Sequence, residues 1–360
     1  MSKELGIVCC YFNPCHFESR KENFMQFYKN VKFCTDDICV VELAFGSDDF
    51  ALPEEMETLK VQADSILWQK EALLNIGIKK LLSEGYESIA WFDADIAFDN
   101  TMWYQDVIDT LKQYRICQTF GKVCKYKWKK VKNGEVYSDR LYLHGSARYF
   151  KDTGMIYSKK GDSGFGWAAR SEVLAECNLF DKGIIGGGDA LIWYGMHYNS
   201  LNIAEACTTH PMFTYDFPDY RLSYINWCKK WSKAVNGSVG YSYTSLRTMY
   251  HGSIKNKKYT DRYDVLVRNK YDPLVDIRYS DNGCIEWNAN KLDFQKEVSD
   301  YFPSRNEDDF LKDRGKLKEP KPKKKWFFQK WIENADAALS EELEKENTKI
   351  KAIKDSQDAQ

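Results

Sequence analysis

The feature that most constrains this chain is the run Ser88-Ile89-Ala90-Trp91-Phe92-Asp93-Ala94-Asp95-Ile96-Ala97-Phe98. Its apolar residues form the near-continuous block that fills a central, doubly buried strand, and two aspartates interrupt it two residues apart. In an extended segment residues i and i+2 point to one side, so the run predicts two carboxylates converging at a strand end. Buried carboxylates are costly unless cations or hydrogen bonds compensate them. An oxygen-rich pair suits a hard divalent ion, Mn²⁺ or Mg²⁺, that carries a substrate diphosphate. Asp93 and Asp95 are therefore candidate metal-nucleotide residues. The tripeptide alone also reads as a solvated strand end, and the apolar flanks argue against that.

The preceding residues build a sheet around this run. Leu5 to Phe12 is a first buried strand closed by Asn13-Pro14, and Arg20 to Val31 carries Phe24, Phe27, Tyr28 and Val31 at helical spacing. Ile38 to Leu43 predicts a second strand. Glu54 to Leu82 predicts a helix, with Leu73, Leu74, Ile76 and Ile78 near its end and Gly85 beyond. Alternation of strand and helix predicts an α/β fold with a mostly parallel sheet. Ligands on such sheets bind beyond the carboxyl ends of the strands, where Asn13, Gly46, Asp93 and Asp95 fall.

Composition narrows the partners. The chain is 43% hydrophobic, as a globular core requires, and its formal net charge of -1 excludes a uniformly basic surface, so a polyanion would need a local patch. The 11 cysteines include no C-x-x-C pair and no zinc-type Cys/His spacing, which points to reduced thiols in a cytosol-like compartment. No apolar stretch reaches bilayer length and the first residues do not read as a signal peptide, so a cytoplasmic location is expected.

In the second half, Asn100 or Thr101 caps a helix running to about Tyr114, and Ile116 to Phe120 begins another strand. Six lysines fall between Lys122 and Lys132. If extended, Lys125, Lys127 and Lys129 share one face, which is either a solvated strand face or a basic surface for an anionic acceptor. Gly161 to Leu174 reads as a glycine-rich loop entering a helix. It lacks the P-loop and dinucleotide spacings, and Trp167 would offer a stacking surface. Gly186-Gly187-Gly188 brings Asp189 to a helix start, as an N-cap or as a site acid. Thr208 to Tyr243 is aromatic and loop-like. His251-Gly252, followed by Lys255, Asn256, Lys258, Tyr259 and Arg262, has the composition of a metal ligand with phosphate contacts on one loop.

Taken together, the aspartate strand, the segment from Gly186 to Asp189 and the late His251-Gly252 resemble the ordered landmarks of nucleotide-sugar-dependent glycosyltransferases of the GT-A fold. Trp68-Gln69-Lys70-Glu71 with Leu74-Asn75, then the His-Gly loop with Asn256, Tyr259 and Arg262, is also similar to a group of bacterial and bacteriophage glycosyltransferases. The resemblance spans about residues 5 to 300. It implies a GT-A type, Rossmann-like, mostly parallel sheet with flanking helices over 1–305, its nucleotide-sugar-binding half at 1–120 and its acceptor-binding half at 121–305. A basic Pro/Lys linker at 306–330 and a charged helical tail at 331–360 follow; the tail carries Ile332, Leu339, Leu343, Ile350 and Ile353 on a rough heptad and is a candidate for self-association.

The resemblance also implies roles. Asp95 would bind Mn²⁺ or Mg²⁺ directly, Asp93 would contact the metal or the ribose, and His251 would complete the shell. Asn13 would hold the nucleotide base, Lys255 or Lys258 the diphosphate of the nucleoside-diphosphate sugar, and Asp189 would face the acceptor hydroxyl. Trp167, Lys125, Lys127 and Lys129 fall to the acceptor side. Many such enzymes carry two consecutive acids where this chain has Gly188-Asp189, which leaves Asp189 as base or sugar-binding residue, and inversion or retention, open. The implied acceptor is a surface or lipid-linked glycan or a hydroxymethylated base of phage DNA, with the Lys-rich segments meeting DNA or an anionic membrane. A non-catalytic nucleotide-sugar or polyanion-binding protein on this fold is the alternative. A haloacid-dehalogenase-type phosphatase would want Thr at position 97, where Ala stands, and an EF-hand loop would want an oxygen ligand at 97 and Gly at 98.

Overall fold

The computed structural model of the chain describes residues 3–130, 136–199, 210–216, 218–259 and 261–309. The strands, in chain order, are Leu5–Phe12 (β1), Ile38–Phe45 (β2), Thr58–Ala63 (β3), Ser88–Phe92 (β4), Ile96–Phe98 (β5), Ile116–Gln118 (β6), Lys122–Lys130 (β7), Val136–Gly145 (β8), Gly161–Asp162 (β9), Gly166–Arg170 (β10), Val239–Tyr241 (β11) and Ser245–Thr248 (β12). Seven form one sheet in the order β11-β6-β10-β4-β1-β2-β3. All neighbouring pairs in it are parallel except the two made by β10, so the expected α/β architecture with a mostly parallel sheet is what the chain adopts. Helices Glu18–Lys32 (α1), Lys70–Ser83 (α2), Trp103–Gln113 (α3), Ser146–Thr153 (α4), Ser171–Glu176 (α5) and Gly188–Met196 (α6) flank it.

Periodicity explains most of this. Phe24, Phe27 and Val31 of α1 pack with Leu5, Ile7 and Cys9 of β1 on one face of the sheet, and Leu73, Leu74, Ile78 and Leu81 of α2 pack with Val8 and Val41 on the other. The successive residues of β1 thus feed opposite cores.

Four expectations change. The helix predicted from Glu54 starts only at Lys70, because Thr58 to Ala63 alternates exposed and buried side chains, the period of an edge strand, and pairs with β2. The aspartate run is not one strand: β4 ends at Phe92, residues 93–95 turn, and β5 leaves for a second sheet of order β5-β12-β7-β8-β9. The glycine loop from Gly161 contains β10, a buried central strand whose Trp167 stands in register with Trp91. The aromatic stretch after Thr208 contains the helix Pro218–Val235, whose Tyr220, Tyr224, Cys228 and Trp231 face inward at helical spacing.

Because β10 and β11 belong to the same sheet as β1 to β4, residues 1–120 and 121–305 share one framework. The described residues up to Trp128 and from Ser138 to Asp309 form one compact unit. The expected helical tail and nearly all of the linker lie outside the described residues. Among the described residues no helix is long and apolar enough to cross a membrane.

Candidate active site

The sheet change at Asp93-Ala94-Asp95 creates the site. β12 runs antiparallel to β5 with Thr248 opposite Ile96, so the chain leaving β12 passes directly beside Asp95, and the Met249 N–H donates to the Asp95 carbonyl at 2.6 Å. Two residues on, His251 Nδ1 lies 3.1 Å from Asp95 Oδ2 and 3.1 Å from the Met249 carbonyl oxygen. Residues 156 positions apart in sequence thus meet through one strand pairing. Burial pushes the His251 imidazole below its ordinary pKa, so it stands neutral and able to act as a ligand. Its Nε2 faces Lys257 Nζ, and burial draws the Lys257 ammonium down to about 8.

Asp93 looks the other way. Its Oδ1 takes Lys70 Nζ at 2.5 Å and its Oδ2 the Phe165 N–H at 3.2 Å, while its own N–H donates to the Phe165 carbonyl at 2.8 Å. Phe165 holds φ of +79°, a left-handed conformation costly for an aromatic residue, and this reciprocal pair with Asp93 fixes it. Lys70 also bridges to both oxygens of Asp189, at 2.8 and 3.0 Å. Burial lowers the affinity of Lys70 for its proton, yet Asp189 and Asp93 hold its pKa well above the usual value. Burial outweighs Lys70 at Asp189, whose carboxyl rises to about 6, and at Glu71, which rises to about 7.

The glycines before Asp189 are needed for this closeness. Gly187 has φ of +99°, and a side chain there would strike the Tyr263 hydroxyl; one at Gly188 would strike the Glu71 carboxyl. Asp189 itself is not the N-cap: Gly187 occupies that place without a side-chain cap.

A cavity of about 200 Å³ opens between these groups. Asp93, Asp95, Asp189, His251 and Lys70 line it together with Arg20, Arg262, Arg305 and Glu307, and with Trp68 and Tyr259. Sequence reading did not single out Arg20, Arg305, Glu307 or Lys257 as site residues. Arg305 is the last residue of the expected domain and Glu307 falls in the stretch 306–330 that reads as a linker, and α1 was legible only as an amphipathic helix.

The chemistry of the donor set fits a hard divalent ion. Asp95 Oδ1 is buried and has no hydrogen-bond partner among the described residues. The 3.1 Å between Asp95 Oδ2 and His251 Nδ1 is a hydrogen-bond distance and also close to the separation of about 3 Å between adjacent ligands of one octahedral ion at about 2.1 Å, so an ion bound here would take the place of the Nδ1 proton. Among the described residues no three His, Cys, Asp or Glu side chains form a metal cage, so an ion here would take the rest of its shell from substrate oxygens and water, as Mg²⁺ does at nucleotide sites.

Asp93 lines the cavity, with Oδ1 turned to Lys70 and Oδ2 to the Phe165 N–H rather than to His251. Several other sequence-predicted residues are not brought to this site. Asn13 is turned onto its own loop, accepting from the Phe17 N–H and donating to the Phe17 carbonyl and the Tyr11 hydroxyl. Lys255 and Lys258 point to solvent on the turn Ile254–Lys257 and its cap, and the buried lysine is Lys257. Trp167 has 0% exposure and stacks on Trp193, so it offers no platform to an acceptor. Lys125 pairs with Asp162 over the Phe165 ring; Lys127 and Lys129 lie on β7.

No protein-family model and no curated protein matches the chain. Solved structures with partial likeness include glucosyl-3-phosphoglycerate synthase from Mycobacterium tuberculosis in complex with Mn²⁺, uridine diphosphate and glucosyl-3-phosphoglycerate, at 6% identity and TM-score 0.38, covering 79% of this chain and 87% of that one. A protein described as a nucleotide-diphospho-sugar transferase from Desulfovibrio desulfuricans G20 aligns at 10% identity and TM-score 0.32, covering 75% and 99%. At such TM-scores these likenesses assign no activity to this chain.

Proposed function

We propose that the chain is a metal-dependent glycosyltransferase that moves a sugar from a nucleoside-diphosphate sugar to a hydroxyl acceptor. The observation that carries this reading is the meeting of Asp95 and His251 at 3.1 Å beside an unpartnered buried carboxylate oxygen, in a cavity walled by Arg20, Lys70, Arg262 and Arg305. Mn²⁺ or Mg²⁺ held by Asp95 and His251 would supply positive charge to the departing diphosphate. Lys70 fixes Asp93 and Asp189 in the same cavity, and the lone pairs that Lys70 and the Phe165 N–H leave on Asp93 can accept from ribose or sugar hydroxyls. Asp189, with a carboxyl near 6, is suited to take a proton from the acceptor hydroxyl around neutral pH, and its Lys70 contacts equally suit a sugar-holding carboxylate.

For the acceptor, a surface or lipid-linked glycan is the better reading than a hydroxymethylated DNA base. Lys125, one of the three lysines expected to track a phosphate backbone, is committed to Asp162. Salt-dependent binding of the protein to duplex or single-stranded DNA would reverse that preference. The free state of every cysteine among the described residues supports a reducing, cytosol-like setting.

The direct test replaces Asp95 or His251 by Ala. Each variant should fold as the parent does and lose Mn²⁺-stimulated donor hydrolysis by at least about a hundredfold. Undiminished hydrolysis by the parent in EDTA would remove the metal from the reading.

A further inference from the structure

The segment after the helix Leu292–Ser304 is tied into the cavity wall. Glu307 is 1% exposed and takes two arginines at once: Arg20 donates through Nε at 2.9 Å and Nη2 at 2.8 Å, and Arg305 through Nε at 2.6 Å. Burial alone would raise the Glu307 carboxyl, but Arg20 and Arg305 hold it far below its ordinary value. Arg305 Nη1, at 2.9 Å, and Arg262 Nη1, at 3.2 Å, both donate to the Tyr301 hydroxyl, which in turn donates to the Lys257 carbonyl. Arg262 Nε is buried without a hydrogen-bond partner among the described residues.

The backbone of the same segment is bolted down. Asp308 accepts from the Glu18 and Ser19 N–H groups, both at 2.9 Å, at the start of α1. Asp309 accepts from the Tyr250 hydroxyl at 2.6 Å and Asn256 Nδ2 at 3.4 Å, on either side of His251. The strap therefore joins α1 to the loop that presents His251. Arg20 and Arg305 share the Glu307 carboxylate, while Arg262 donates to the Tyr301 hydroxyl and lies over the Tyr259 and Tyr263 rings, so the guanidinium groups on this wall outnumber the carboxylate they hydrogen-bond. So buried an excess of charge is expensive unless an anion completes it.

We infer that residues Arg305 to Asp309 form a diphosphate-binding strap, in which Arg305, Arg20 and Arg262 take the phosphate oxygens of the donor and Glu307 is the positioning residue that fixes the planes of Arg20 and Arg305. This rests on the nucleotide-sugar reading only for what the diphosphate is attached to. Arginine suits the task because its planar fork matches a phosphate and a lysine's point charge does not.

The experiment measures binding of inorganic pyrophosphate, with Mg²⁺ present, to the full chain by calorimetry. Arg305→Lys keeps the charge and loses the fork, and weakens binding by about tenfold. Glu307→Gln separates positioning from simple charge. It makes the wall more positive, so charge alone predicts tighter binding, whereas loss of the orienting carboxylate predicts weaker binding. Pyrophosphate that binds Arg305→Lys as well as the parent, or Glu307→Gln more tightly, overturns the strap. Should either variant unfold, hydrogen exchange on the parent decides: amides 305–309 slow several-fold when pyrophosphate binds, and unchanged exchange there overturns the inference. If pyrophosphate binds as described and no nucleotide sugar is turned over, the strap stands and the transferase reading falls.

Discussion

Lys70 and Glu71, neighbours at the start of α2, carry opposite electrostatic loads. Lys70 is neutralised by Asp93 and Asp189, while Glu71 is 3% exposed, has no hydrogen-bond donor at Oε1 among the described residues, and stands 4.0 Å from the Lys70 ammonium. Burial raises its carboxyl to about 7. A carboxyl whose folded pKa lies above its unfolded value binds its proton more tightly in the native state. Its contribution is complete below the unfolded value and is lost as pH rises through about 7. Glu71→Gln, which keeps the shape without the charge, should therefore leave stability at pH 4 nearly unchanged and raise it at pH 8, by on the order of 3 kcal/mol. Urea unfolding at the two pH values checks this, and an equal offset at both would mean that Glu71 does not titrate in this way.

At the scale of elements, α6 is packed to the limit of its glycines. Gly188→Ala should lower stability by about 1–3 kcal/mol and disturb the Lys70-Asp189 contact, because the added methyl meets the Glu71 carboxyl. The measurement is thermal unfolding beside donor hydrolysis, and a variant as stable and active as the parent would show that the helix can shift to make room. Elements with strong apolar periodicity were legible before folding: β1, α1, β2 and β4 fall where the pattern predicts. Short β3 was absorbed into the α2 pattern, since six alternating residues at a sheet edge carry little apolar signal. β10 was hidden by its flanking glycines, and the helix Pro218–Val235 by its aromatic composition. In the site, Asp93, Asp95, Asp189 and His251 were all legible as residues. Their partners were not, because Lys70 bridges carboxylates 96 positions apart in sequence and Arg20 reaches Glu307 across 287. Such pairs are set by the sheet order and leave no local pattern.

Across the whole molecule, the cavity gathers residues from Arg20 to Glu307 at the carboxyl ends of β1 and β4, the position where open α/β sheets bind ligands. The chain-wide fold and the site are thus completed together by the segment past Arg305. The composition boundary at 305 is moved by this: a chain ending there loses Glu307, leaves the partly buried Arg20 and buried Arg305 without their carboxylate and frees the start of α1, at a cost of about 2–4 kcal/mol. A chain ending at Asp309 keeps these contacts and should unfold at a higher midpoint than one ending at Arg305, and equal midpoints for the two truncations would show that the strap does not hold the domain. The central claim is a metal-dependent nucleotide-sugar site, and thermal unfolding of the full chain across a panel of nucleoside-diphosphate sugars, with Mn²⁺ and with EDTA, tests it most directly. At least one sugar nucleotide should raise the midpoint in Mn²⁺, lose that effect in EDTA, and fail to stabilise Asp95→Ala in either; a panel that leaves the parent's midpoint unmoved in Mn²⁺, or moves it equally in EDTA, would contradict the account.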